Sequence, residues 1–177
     1  MNKIIELYKR LFWSLEKRAR YEGVKMGKRN RIMSYFWSSA EPYLITIGDD
    51  CDLTENSKIY THGGARAARE KYPDFDVFGK VSIGNRVYVG SGAQIMPGVT
   101  IGDNVLIAAG SVVTKNIPSN VVVAGNPAKY VCTLDEYINK NLKFNVDTKP
   151  LSYSEKKKYL LSMPEEKFIT KDFIQVK

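Results

Sequence analysis

From Ile83 onward an aliphatic residue returns at every sixth position: Ile83, Val89, Ile95, Ile101, Ile107 and Val113. The fifth place of each hexad is small or β-branched, at Val87, Ala93, Val99, Val105, Ser111 and Ile117. Second places include Gly84, Gly90, Gly102 and Ala108. The frame extends upstream through Ile47, Leu53 and Ile59, with Cys51 and Ser57 in fifth places. Val77 with Val81 reads as one more hexad, Met26 and Ile32 as a looser start, and residues 60–76 break the frame. Six residues are too few for a helix to turn back on itself, but they suit one short strand and one turn. Three hexads then make a triangular coil of about 18 residues, and coils stack with their strands parallel and their leading aliphatics inward. A small second residue lets the chain bend. The period fixes an all-β solenoid but not its hand; right-handed crossovers are the general rule for parallel strands.

At 177 residues the chain holds one domain, or two at most. An apolar share of 44% and a charged share of 26% exclude disordered and collagen-like classes. No apolar run is long enough for a membrane-spanning helix. Lys3, Glu6, Lys9 and Arg10 interrupt any secretory leader. Two cysteines make no disulfide framework, and a cytoplasmic protein is expected. One histidine cannot build a three-histidine metal site within one chain. Residues 1–40 hold ten basic and three acidic groups, so they carry +7 of the net +8. The body is neutral, which argues against nucleic acid as a partner.

Ile4, Ile5, Tyr8, Leu11, Phe12, Leu15 and Ala19 fall on one side of a helix over residues 3–20, with Lys3, Lys9, Arg10, Lys17 and Arg18 on the other. It packs on its own body or a neighbouring subunit, or it lies peripherally on the inner membrane surface. Thr133 with Glu136, and Ser152 with Glu155, are capping boxes for two short C-terminal helices, the second stopping near Pro164. Cys51 fills an inward slot and is assigned to the core.

The stretch IGDNVLIAAGSVVTKNIPSNVVVAGNPAK (residues 101–129), together with residues 78–98 and 41–62, resembles the hexapeptide-repeat acyltransferases. It is most similar to the sugar O-acetyltransferases of polysaccharide biosynthesis. The resemblance implies a left-handed parallel β-helix, an exception to the usual crossover hand. It further implies a homotrimer with active sites in the clefts between prisms, and acetyl-CoA as co-substrate without a metal. The organisation that follows is an N-terminal amphipathic helix (1–22), a β-helical acyltransferase domain (23–132) with a loop (63–76), and a C-terminal helical extension (133–177).

In this family the catalytic histidine ends a strand just before a loop that breaks the hexads. Tyr60-Thr61-His62 stands there. A sugar hydroxyl is a weak nucleophile until a base takes its proton, and imidazole is suited to that. A thioester is already activated, so neither metal nor acyl-enzyme is required. Relatives often carry an acidic residue directly after this histidine, whereas Gly63 and Gly64 follow here; a backbone carbonyl, Asp74 or Asp76 is then expected to orient the ring. By the same resemblance, Ser91 and Ala109 meet the pantetheine arm, and Thr114 and Lys115 meet CoA phosphates. Lys129 reaches the nucleotide end, and the amide of Ser91 or Gly92 serves as oxyanion donor. Tyr88 stands where many relatives have tryptophan. The loop beside the base, with Arg66, Arg69, Glu70, Lys71, Tyr72, Asp74 and Asp76, either meets the acceptor (a sugar, a nucleotide sugar or a lipid-linked glycan) or simply turns its charges to water. The leading expectation is sugar O-acetylation. Its rivals are N-acetylation of an amino sugar or another small acceptor, and a non-catalytic trimeric scaffold.

Overall fold

The computed structural model describes residues 8, 11–37, 40–64, 66–173 and 175. The chain forms two compact units, divided between Leu134 and Asp135.

In the first unit the hexads fold as their spacing requires. Successive short strands go to three different parallel sheets and then return to the first. One sheet holds Lys25–Met26, Ile45–Ile47, Val81–Ile83 and Thr100–Ile101. The next holds Arg31–Ile32, Asp52–Leu53, Tyr88–Val89, Leu106–Ile107 and Val121–Ala124, closed by the antiparallel strand Lys129–Thr133. The third holds Lys58–Ile59, Gln94–Ile95 and Val112–Val113, with Trp37 bridging to Ile59. The leading residues Ile47, Leu53, Ile59, Ile83, Val89, Ile95, Ile101, Ile107 and Val113 are all buried, as are the fifth-place residues from Cys51 to Ser111. Each buried aliphatic contributes about 1.5–3 kcal/mol of transfer free energy. Burial pushes the Cys51 thiol up.

Two parts of the frame differ from expectation. Val77 leads no hexad: it is 46% exposed and belongs to a hairpin outside the coil. Ile117 is a leading residue instead of a fifth-place one, since it bridges to Ile101. The cause is a shortened edge: Ile107 pairs with Val123 at an offset of 16, whereas Ile83 pairs with Ile101 at 18. The role of the second-place glycines also differs. Gly84 has no unusual backbone angle, but a Cβ there would stand 2.4 Å from Asp103 Oδ1 and 2.7 Å from the Gly102 carbonyl carbon. Close stacking of coils, not bending, excludes a side chain at that place.

The expected single helix over 3–20 is interrupted within its described part; Lys3, Ile4, Ile5, Lys9 and Arg10 lie outside the described residues. Ser14 is extended and its hydroxyl accepts from the Lys17 amide, so a new helix α1 (Leu15–Tyr21) starts there. Serine competes with helical hydrogen bonding and favours this capped break. Helix α1 buries Ala19 fully. Just beyond it, Glu22 accepts from the Trp37 indole N–H and the Tyr35 hydroxyl at the base of the coil. Tyr8, Leu11 and Phe12 remain exposed. Among the described residues no helix is long and apolar enough to cross a membrane.

Removing residues 1–22 therefore strips Trp37 of its acceptor as well as uncovering Ala19's neighbours. A buried donor left unpaired costs about 1–3 kcal/mol. The melting temperature of that truncation is expected to fall by about 5 °C or more in a thermal scan. Co-sedimentation with anionic vesicles tests the membrane reading of the same segment. An unaltered melt for the 1–22 truncation would contradict the packing role.

The second unit carries α3 (Leu134–Asn141, whose first residue still belongs to the first unit) and α4 (Tyr153–Leu161). The expected capping box opens α4: the Ser152 hydroxyl accepts from the Glu155 amide, and the Glu155 carboxylate accepts from the Ser152 amide at 2.9 Å.

Candidate active site

Among the described residues one long excursion leaves the coil, and it presents the only histidine of the sequence. Ile47 pairs with Ile83 at an offset of 36, double the regular coil. The extra residues leave the wall after Thr61 and rejoin it at Gly79, whose amide donates to the Thr61 carbonyl at 2.8 Å. A Cβ on Gly79 would lie 2.2 Å from the Gly98 amide nitrogen, so the chain re-enters the stack where only glycine fits. The excursion is an antiparallel hairpin of His62–Gly63 with Val77–Phe78, tipped by the short helix α2 (Arg66–Arg69).

His62 is 43% exposed at the foot of this hairpin. Its Nδ1 lies 2.8 Å from Glu41 Oε2, and the Thr61 hydroxyl donates to the same oxygen at 3.1 Å. The Glu41 side chain is only 14% exposed. The hydrogen bond from His62 holds the Glu41 carboxyl below the usual carboxylate range, with Thr61 adding to it against the opposing effect of burial. Glu41 is thus an anion at neutral pH, and the contact is lost only as pH falls through that lowered value. An ionised carboxylate only accepts hydrogen bonds, so Nδ1 carries the proton in neutral His62 and Nε2 keeps its lone pair outward. The arrangement suits proton abstraction by Nε2.

The ring partner is Glu41, where the sequence pointed to a backbone carbonyl, Asp74 or Asp76. Asp76 lies beside Gly64 and 4.0 Å from Arg69, away from the ring contact that Glu41 makes. Glu41 stands in the coil below, immediately before the turn Pro42–Leu44 with its buried Pro42, and was missed. The first two coils are 21 residues apart at Lys25–Thr46 and Arg31–Asp52 and 22 at Trp37–Ile59, and 21 residues separate Glu41 from His62, a spacing that emerges only when the strands are paired.

The expected donor residues fall on two neighbouring edges of the coil. Ser91 and Ala109 each lie two residues past paired strands of the second sheet, so they occupy successive levels of one edge. The Gly110 amide donates to the Ser91 carbonyl at 2.8 Å, and the Ser91 hydroxyl donates to Thr54 Oγ1 at 3.2 Å. The Gly92 amide donates to the Glu55 carbonyl at 3.0 Å. That use removes it as an oxyanion donor and leaves the Ser91 amide as the candidate. Thr114 and Lys115 lie past the third sheet, on the edge that carries His62 two coils earlier. Lys115 and Lys129 come together: both line a cavity of about 330 Å³ with Val113, Ile117, Pro118 and Tyr130. Tyr88 is 39% exposed in the second sheet, between Asp52 and Leu106. Among the described residues no group of three or more His, Cys, Asp and Glu side chains is placed to hold a metal.

Known proteins share this pattern. Residues 80–115 match the model of the bacterial transferase hexapeptide (six repeats). Protein CapG of Staphylococcus aureus is 45% identical over 167 residues, which covers 89% of this chain and 97% of CapG. Among solved structures, a maltose O-acetyltransferase from Clostridium difficile 630 is 35% identical with a TM-score of 0.55 over 63% of this chain and 59% of its own. A galactoside acetyltransferase in complex with coenzyme A is 32% identical with a TM-score of 0.50 over 66% of this chain and 58% of its own. The chain thus spans about six tenths of each solved chain. With the hexapeptide coil, its long excursion and these relatives in hand, the chain belongs to the hexapeptide-repeat acyltransferases and is an acetyltransferase.

Proposed function

We propose that the protein transfers the acetyl group of acetyl-CoA to a hydroxyl of a sugar during surface-polysaccharide assembly in the cytoplasm, with His62 as general base. The observation that carries this reading is the His62–Glu41 pair at the foot of the hairpin that leaves the coil. The named acceptors and the coenzyme A of the solved relatives support the substrate classes.

Nε2 of His62 takes the proton of the acceptor hydroxyl as its oxygen attacks the thioester carbonyl. The Glu41 carboxylate stabilises the imidazolium that forms. The tetrahedral oxyanion accepts a hydrogen bond from a backbone amide, for which Ser91 is the candidate. Collapse breaks the carbon–sulfur bond, and the imidazolium returns its proton to the CoA thiolate. The products are a sugar acetyl ester and free CoA, and the imidazole is neutral again. No metal takes part in these steps.

The distribution over two edges supports a homotrimer built from left-handed prisms, the hand that the relatives imply. In a cleft between two copies, the edge with His62, Thr114 and Lys115 meets the neighbour's edge with Ser91 and Ala109. Acetyl-CoA lies along that cleft, with its phosphates toward Lys115 and Lys129. The domain division that goes with this is a helix over 1–22, the catalytic coil over 23–132 with the loop 63–76, and the extension 133–177.

A thiol-release assay with acetyl-CoA against sugars, nucleotide sugars and lipid-linked glycans tests the reading. Acceptor-dependent release is expected with a sugar, and release with no member of the panel would contradict it. For the donor end, Lys115→Ala is expected to raise the KM for acetyl-CoA several-fold, more at low salt, because a charged contact to phosphate is lost. The acceptor KM changes less. An unchanged KM for acetyl-CoA at low salt would remove Lys115 from the site.

A further inference from the structure

Phe78 lies directly across the hairpin from His62. Its ring centroid is 6.3 Å from that of the imidazole, with the planes at 72°. It is 55% exposed, whereas Phe36, at the base of the coil, is fully buried. A large exposed aromatic against the proposed base is a contact surface awaiting something flat and partly apolar. Val77, Phe75 and Tyr72 continue the apolar exposure along the hairpin.

The charges of the hairpin tip do not favour a phosphate. Arg66, Arg69 and Lys71 are balanced by Glu70, Asp74 and Asp76. Arg69 is already committed, since its Nε donates to the Phe75 carbonyl at 3.0 Å and its Nη2 stands 4.0 Å from Asp76. The Lys71 ammonium sits 5.3 Å from the centre of the Tyr72 ring. A loop that reads phosphate carries an excess of uncommitted cations. What the hairpin offers beside His62 is an aromatic face.

A pyranose has the complementary shape: C–H bonds cover its faces and hydroxyls ring its rim. Laid on the Phe78 ring, it buries a face and turns a rim hydroxyl toward the imidazole at the ring's edge. Small-ligand sites combine such apolar walls with a few placed polar groups.

We infer that Phe78 is the platform on which the acceptor sugar stacks, so that the acceptor is a pyranoside recognised by its ring face and Phe78 determines which hydroxyl meets Nε2 of His62. The inference rests on the reading of His62 as general base. It goes further by assigning acceptor recognition to a residue outside the donor site and by favouring the sugar ring over a diphosphate as the recognised group.

The test compares full-length wild type, Phe78→Ala, Phe78→Trp and His62→Ala. The probes are methyl pyranosides of galactose, glucose and N-acetylglucosamine and one nucleoside diphosphate sugar, with thiol release as the readout. Phe78→Ala is expected to raise the KM of the best methyl pyranoside about tenfold, the upper end of what an aromatic contact carries. Phe78→Trp restores it, and the KM for acetyl-CoA, the oligomeric state and the melting temperature do not move. Acceptor kinetics unchanged in Phe78→Ala, or turnover of the nucleotide sugar alone, would overturn the inference. So would a lower melting temperature or a dissociated oligomer, either of which makes Phe78 a packing residue. Full turnover by His62→Ala would instead strike the base reading beneath it, so the two failures are separable.

Discussion

His62→Ala is expected to lose about 100-fold or more in turnover while keeping its fold, its oligomeric state and its affinity for acetyl-CoA. The side chain is 43% exposed and belongs to a hairpin outside the stacked coils, so no leading aliphatic loses a packing partner when it is removed. What disappears is the only imidazole of the sequence, and with it the proposed acceptor of the hydroxyl proton. Initial rates at saturating acetyl-CoA, beside isothermal titration of acetyl-CoA, separate lost chemistry from lost binding. Near-normal turnover would remove His62 from the reaction.

Glu41→Gln is expected to lower kcat about 10- to 100-fold with both KM values unchanged. The amide side chain has nearly the shape of the native carboxylate and can still accept from Thr61, but it brings no negative charge to the ring. The imidazolium formed in the reaction then loses its ionic partner, and the tautomer with Nε2 free loses its preference. A purely structural role for Glu41 would show instead as a lower melting temperature with kcat intact. Glu41→Asp retains the charge and retracts the carboxylate, so it recovers part of kcat if charge is the requirement. Equal kcat values for wild type and Glu41→Gln would contradict the pairing.

The coil was legible because each hexad states its own geometry. Ile83 to Val113 repeat at an interval that no helix accommodates, and every one of those leaders is buried. His62 was legible through the break in that interval. Glu41 was not, because a strict 18-residue frame places Leu44 beneath His62 and the first coil runs at an offset of 21. A longer edge in the first coil moves the carboxylate into place, and edge lengths carry no periodic signal. The same reason explains Ile117, where a short edge turns a fifth-place residue into a leader. The donor positions were located by resemblance, and their division between two edges emerges only when the strands are paired. Phe78 escaped notice because Val77 continued the hexad pattern on paper, while in the fold both residues stand outside the coil with their side chains exposed.

The chemical linkage in the product of the purified full-length protein is the most direct test of the central claim. After incubation with acetyl-CoA and the best acceptor of the sugar panel, the product is isolated, its mass and carbon–oxygen connectivity are recorded, and it is treated with mild base. Acetyl transfer to a hydroxyl by the His62–Glu41 pair predicts one added acetyl group, an ester at a single sugar oxygen, released by the base treatment and formed about 100-fold or more slowly by His62→Ala. A base-stable amide, or the same ester formed at full rate without His62, would contradict it.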